Sequence, residues 1–201
     1  MKSKSESKSK LILSPNKNTL VVNLLSGPGA GKSTLAGSIF SELKWKGVDC
    51  ELVTEYAKDK VWEESFRTLS NQLYVLGKQA HRNFRLNGKV DVMVTDSSVL
   101  MSLLYSKEPR HKTDEFIKVT VDEFKHYNNL NFFIERNDYY VQNGRYQTHE
   151  EAIKIDSKIL NVMNDYSIHY ERIPFEKKSV DIIVNKILEK INYKEEDHIK
   201  S

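Results

Sequence analysis

The sequence predicts an α/β three-layer sandwich: about five parallel strands, helices on both faces and a small lid loop. Three observations predict it. Apolar runs of strand length alternate with amphipathic stretches of helical period along the chain. The first run, TLVVNLL (Thr19 to Leu25), is apolar without alternation, as in a strand buried on both faces of a parallel sheet. Immediately after it, SGPGAGKS (Ser26 to Ser33) crowds glycines where a strand turns into a helix, although glycine is costly inside either element.

The elements follow in order. A helix is expected from about Ser33 to Trp45, with Leu35, Ile39 and Leu43 spaced four apart, and Gly47 ends it. VDCELVT (Val48 to Thr54) is the second strand. Leu69, Leu73, Leu76, Ala80 and Phe84 trace one long helical stripe that Asn87-Gly88 terminates. VDVMVTD (Val90 to Asp96) is the third strand and ends on a carboxylate. A helix over Asp114 to Tyr127 leads to the fourth strand, LNFFIE (Leu130 to Glu135). The polar loop RNDYYVQNGRYQ follows, its Asn143-Gly144 pair forming a turn able to close over a ligand. Thr148 and Glu151 then make a capping-box pattern for a helix to about Tyr166. HYERI (His169 to Ile173) is a short fifth strand. Val180, Ile183, Val184, Ile187, Leu188 and Ile191 line the last helix.

With no internal repeat and no second apolar set, residues 19–193 are expected to form one domain, between a Ser/Lys tail with its lead-in (1–18) and a polar tail (194–201). Lys2, Lys4, Lys8 and Lys10 against Glu6 carry the whole formal charge of +3. The domain itself is therefore formally neutral, which disfavours a nucleic-acid partner, whose backbone requires clustered Lys and Arg. No apolar run is long enough to span a membrane, and MKSKSESKSK lacks the apolar core of a secretory signal. One cysteine, Cys50, excludes an internal disulfide and suits a reducing compartment, so the cytoplasm is expected. Nothing in the sequence defines an oligomeric state.

Ser26 to Ser33 matches G-x-x-x-x-G-K-[ST] at every fixed position but the first, where serine replaces glycine and Gly27 beside it is available for an unusual dihedral. Such a loop turns its backbone N–H groups and the following helix N-terminus toward phosphate oxygens. Gly27, Pro28, Gly29, Ala30, Gly31, Lys32, Ser33 and Thr34 are accordingly expected to bind ATP or another NTP. Lys32 meets the β- and γ-phosphates, and the Ser33 hydroxyl helps hold Mg²⁺.

Further candidates lie at the carboxyl ends of strands, where open parallel sheets gather their ligands. Asp96 is placed to hold Mg²⁺, with capping of the next helix as its structural alternative. Glu55, after the second strand, is placed to accept a proton from a substrate hydroxyl, or is an ordinary loop acid. Arg136 and Arg145 flank the polar loop and can neutralise charge on a transferring phosphoryl group. Gln72 and Gln79 lie on one side of a helix with Arg82 nearby; Gln79 is a candidate for reading a base edge, or a solvent-facing glutamine, and Arg82 a candidate for substrate binding.

The segments SGPGAGKST, TEYAKD, QAHRNFRLNG, TDSSVLMSLLY and NGRYQTHEEAIKID together resemble the P-loop nucleoside- and nucleotide-kinase group. The likeness is to its ribosylnicotinamide-kinase-like branch (AAA-type ATPase/kinase) and to small phage-encoded P-loop proteins similar to it. The resemblance implies a P-loop NTPase fold and phosphoryl transfer from ATP to a small acceptor, with Glu55 as base or substrate ligand, Asp96 serving the metal and Arg145 as lid arginine. Ser97 and Ser98 stand where many of these kinases carry arginine. Two other readings share the loop. An NTP-hydrolysing or nucleotide-binding regulator of a protein partner would usually have a glutamate where Ser97 stands, and a polynucleotide 5′-kinase would need a more basic body.

Overall fold

The chain, described at residues 17–137 and 148–193 in a computed structural model, alternates strands and helices. The strands are β1 (Leu20–Leu25), β2 (Cys50–Val53), β3 (Val92–Thr95), β4 (Asn128–Glu135) and β5 (Glu171–Pro174). The helices are α1 (Lys32–Trp45), α2 (Tyr56–Trp62), α3 (Phe66–Ser70), α4 (Gln72–Phe84), α5 (Met101–Tyr105), α6 (Asp114–Lys125), α7 (His149–Asp165) and α8 (Lys178–Lys190). All described strand pairings are parallel, in the order β2-β3-β1-β4-β5.

Strand β1 is central, and every one of its residues is buried. Leu20, Val22 and Leu24 pack with Leu35, Ile39 and Leu43 of α1 and Ile183 and Ile187 of α8. Leu25 faces the opposite core, built from Leu76 of α4, Phe116 and Phe124 of α6, and Ile159 and Met163 of α7. That is the three-layer sandwich the continuous apolar run implied. Within it, Asn23 donates to Asn129 at 2.8 Å and Asn131 at 3.0 Å, and Asn131 donates to the His169 carbonyl at 2.9 Å. This short ladder of amides ties β1 to β4 across the buried sheet.

Chain direction positions the site. From β1 the chain passes through α1 to β2, beyond β3; from β3 it crosses to β4, on the other side of β1. The loops after β1 and β3 therefore leave adjacent strand ends in opposite directions and open a crevice between them. Helix ends are well specified. Gly47 (φ 78°) closes α1 with Val48 N–H on the Leu43 carbonyl and Gly47 N–H on that of Lys44. Thr148 and Glu151 form the expected capping box at α7.

The apolar stripe over 69–84 is corrected. It is two helices, α3 and α4, parted at Asn71, whose side chain caps α4. The buried face of α4 is Gln72, Val75, Leu76, Gln79 and Asn83, while Leu73 and Phe84 are exposed. The face is rotated because the glutamine amides satisfy backbone groups: Gln72 donates to the Leu69 carbonyl, and Gln79 bonds the β2–α2 turn. Among the described residues no helix is long and apolar enough to cross a membrane.

Candidate active site

The glycines of the loop after β1 serve two different purposes. Gly29 (φ 80°) and Gly31 (φ 89°) take left-handed backbone that lets the loop curl back toward α1. Gly31 also lies under Phe175, whose ring carbons would stand 2.2 Å from a Cβ there. Gly27 was expected to absorb an unusual dihedral, but it is not among the left-handed residues. It is glycine because α7 presses on it: a Cβ would stand 2.5 Å from the Ala152 carbonyl oxygen. Gly27→Ala must push α7 off the loop. We expect a loss of about 1–3 kcal/mol in urea unfolding, the usual cost of overpacking; unchanged stability would remove this reason for the glycine.

Helix α7 grips the loop through one carboxylate. Asp156 accepts from the Gly27 N–H at 2.5 Å and from Arg136 Nε at 2.6 Å, and Arg136 also donates to the Pro28 carbonyl at 3.1 Å. Both side chains are largely buried. Arg136 was expected to meet a transferring phosphoryl group; its guanidinium instead holds the back of the loop, and it does not line the cavity. Asp156 was not foreseen. A carboxylate in mid-helix looks solvated until the fold brings it against a residue 129 positions earlier.

Lys32, at the first turn of α1, reaches back to donate to the Ser26 carbonyl at 2.8 Å and the Gly27 carbonyl at 2.9 Å. Burial pushes its pKa below the ordinary 10.5, and the charges of Glu55, Asp96 and Asp156 oppose that shift. Next to it, Ser33 Oγ donates to Asp96 Oδ2 at 2.5 Å. Asp96 is buried, and its second oxygen, Oδ1, has no hydrogen-bond partner among the described residues. Its side chain does not cap α5, which begins after Leu100. A hydroxyl and a buried carboxylate with a spare oxygen beside a phosphate-type loop fit a divalent cation such as Mg²⁺. Among the described residues no cluster of three or more His, Cys, Asp or Glu is placed to hold a metal, so such an ion would complete its shell from phosphate oxygens and water.

Glu55 follows β2 and starts α2 without capping it. Burial pushes its carboxyl above the ordinary 4.5; Lys32 opposes the shift and Asp96 reinforces it. The turn that carries Glu55 is held from α4. Gln79 Oε1 accepts from Tyr56 N–H at 2.9 Å, and Arg82 donates to the Thr54 carbonyl at 2.8 Å and to Asp59 at 2.5 Å. Gln79 therefore has its amide engaged even though it lines the cavity, and Arg82 stands outside the lining. Both fix the Glu55 turn. Arg145 and the Asn143-Gly144 turn lie outside the described residues.

These parts share one cavity of about 550 Å³. Its near end is Pro28, Gly29, Gly31, Lys32, Ser33 and Thr34; Glu55, Asp96, Ser97 and Ser98 form the middle. The far half runs between α2–α3 and α5 and carries the aromatic groups Trp62, Phe66 and Tyr105.

A family model described as an AAA domain matches residues 21–181. The sequence matches none of the curated proteins with which it was compared. Among solved structures, the chain is similar to the NadR protein in complex with NR, with a TM-score of 0.67 and 14% identity. That match covers 88% of this chain and 53% of the other, so the chain spans about half the length of that protein. A second structure, the Mycobacterium tuberculosis APS kinase CysC (Cys556Ala mutant), aligns with a TM-score of 0.42 and 15% identity over 89% of this chain and 99% of that one.

Proposed function

The chain belongs to the AAA-domain family, and from that premise we propose that it is an ATP- and Mg²⁺-dependent kinase of a small acceptor, a nucleoside, nucleotide or similar ribosyl compound. The observation that carries this reading is the continuity of the cavity. A triphosphate on the loop after β1 would end beside Glu55 and Asp96, where an aromatic-walled space begins. A hydrolase needs no such space.

The near end of the cavity binds the triphosphate through loop N–H groups and Lys32. Ser33 and Asp96 would hold Mg²⁺, which supplies charge neutralisation to the transferring group. The acceptor oxygen attacks the γ-phosphorus, the bond to the β–γ bridging oxygen breaks, and ADP leaves with that electron pair. The acceptor's hydroxyl proton passes to the Glu55 carboxylate.

ADP release measured with ATP alone and with a panel of nucleosides, nucleotides and ribosyl compounds tests the reading. Acceptor-dependent ADP supports it. ADP at the same rate without acceptor assigns hydrolysis, the activity that the AAA description favours and Ser97, in the place of a water-activating glutamate, opposes.

Glu55 gives a pH test. Its carboxylate form is the base, and its pKa is raised, so kcat/KM is expected to rise with pH through a midpoint above 4.5. Glu55→Gln is expected to lower kcat about a hundredfold and to erase that acidic limb. A limb that survives in the glutamine variant belongs to another group and removes Glu55 from proton transfer.

A further inference from the structure

The geometry points to an acceptor that carries an anionic group: the far half of the cavity suits a ring-bearing phosphate ester of nucleoside monophosphate size, held by Lys58 and Lys107. This rests on reading that half as the acceptor pocket. The near-end charges have their tasks there, Lys32 toward the triphosphate and Asp96 toward the cation. Among the described residues, what remains of the charged lining is Glu55 against Lys58 and Lys107. Among the described residues neither lysine takes part in an ion pair, whereas nearby Lys60 is held by Glu63 and Arg82 by Asp59. This half therefore carries more basic than acidic side chains, and both lysines are exposed. Arg136 is locked behind the loop.

The walls add the second half of the description. Trp62 is 64% exposed and Phe66 43%, yet both line the cavity, opposite Tyr105 on α5. Exposed aromatic side chains beside a polar crevice are suited to covering a flat ring. An uncharged nucleoside would use the aromatic walls and leave the lysines idle. A phosphate ester uses both.

Binding can be read without turnover. With Trp45→Phe, whose position is 84% exposed and outside the cavity lining, Trp62 is the sole tryptophan and reports directly on the far half. The folded full chain is saturated with ADP and Mg²⁺ to occupy the near end, then titrated with matched pairs of a nucleoside and its 5′- or 3′-monophosphate. At least one monophosphate is expected to quench Trp62 with about tenfold higher affinity than its nucleoside, a preference that fades toward 1 M salt as surface charges are screened. Lys58→Met with Lys107→Met is expected to abolish the preference while leaving nucleoside affinity unchanged. Equal affinity for both members of every pair, a preference that survives in the double variant, no quench by any monophosphate, or tighter binding of an oligonucleotide than of a mononucleotide would each overturn the inference. The kinase reading fails separately, when bound monophosphate gives no acceptor-dependent ADP.

Discussion

Asp96→Asn is expected to leave a folded protein whose turnover falls by about a hundred- to a thousandfold. Asparagine keeps the shape of the side chain and an oxygen to accept from Ser33 Oγ, so the contact at 2.5 Å survives the change. What disappears is the negative charge. Asp96 Oδ1 is buried without a partner among the described residues, which makes that oxygen the one available to a cation or its water. Replacing the buried carboxylate by an amide removes both a like charge facing Glu55 and an opposite charge facing Lys32, so the thermal midpoint should change little. Turnover against Mg²⁺ concentration, with thermal unfolding in parallel, checks both halves. A well-folded variant with undiminished turnover would return Asp96 to a purely structural role.

Lys32→Ala is the other large effect: a loss of at least about a hundredfold in kcat/KM. Among the described residues the ammonium is the only side-chain cation lining the near end of the cavity. It is held on two loop carbonyls at a desolvation cost, seen in its lowered pKa. A triphosphate would offer that ammonium stronger, anionic partners than the two carbonyls, so its contribution is greatest when ligand is bound. Its removal should therefore weaken ATP binding and chemistry while lowering unfolding stability little. Calorimetric titration of ATP into both proteins separates the effects. Wild-type affinity and turnover in the alanine variant would sink the phosphate-loop assignment.

What the sequence disclosed follows the range of the interactions involved. The loop after β1 was legible because its glycine positions and Lys32 are fixed by local backbone geometry and neighbouring positions. The parallel sheet was legible because a strand buried on both faces is apolar on both, as β1 is at every position but Asn23. Asp96 could be placed because strand ends in such a sheet face the crevice. By contrast, the Asp156–Arg136 grip depends on α7 crossing behind the loop, and no spacing in the chain encodes it. The burial of Gln72 and Gln79 was obscured for a similar reason. Polar side chains enter a core when backbone groups from another segment wait for them, and here those groups belong to the Leu69 and Thr54–Tyr56 regions. The stripe over 69–84 looked continuous because leucine periodicity runs straight through Asn71, whose capping role ends one helix and starts the next.

The amide ladder between β1 and β4 also sets a timetable. Its partners, Asn23 with Asn129 and Asn131, are separated by 106 and 108 positions, so the central strand cannot complete its pairing until more than half of the chain is present. Closing so long a segment carries an entropic cost that local helices do not meet, and contacts of this separation slow folding. The phosphate-type loop sits directly after β1. During synthesis it would wait, with its strand half-paired, for residues far downstream, and binding competence would arrive late and all at once.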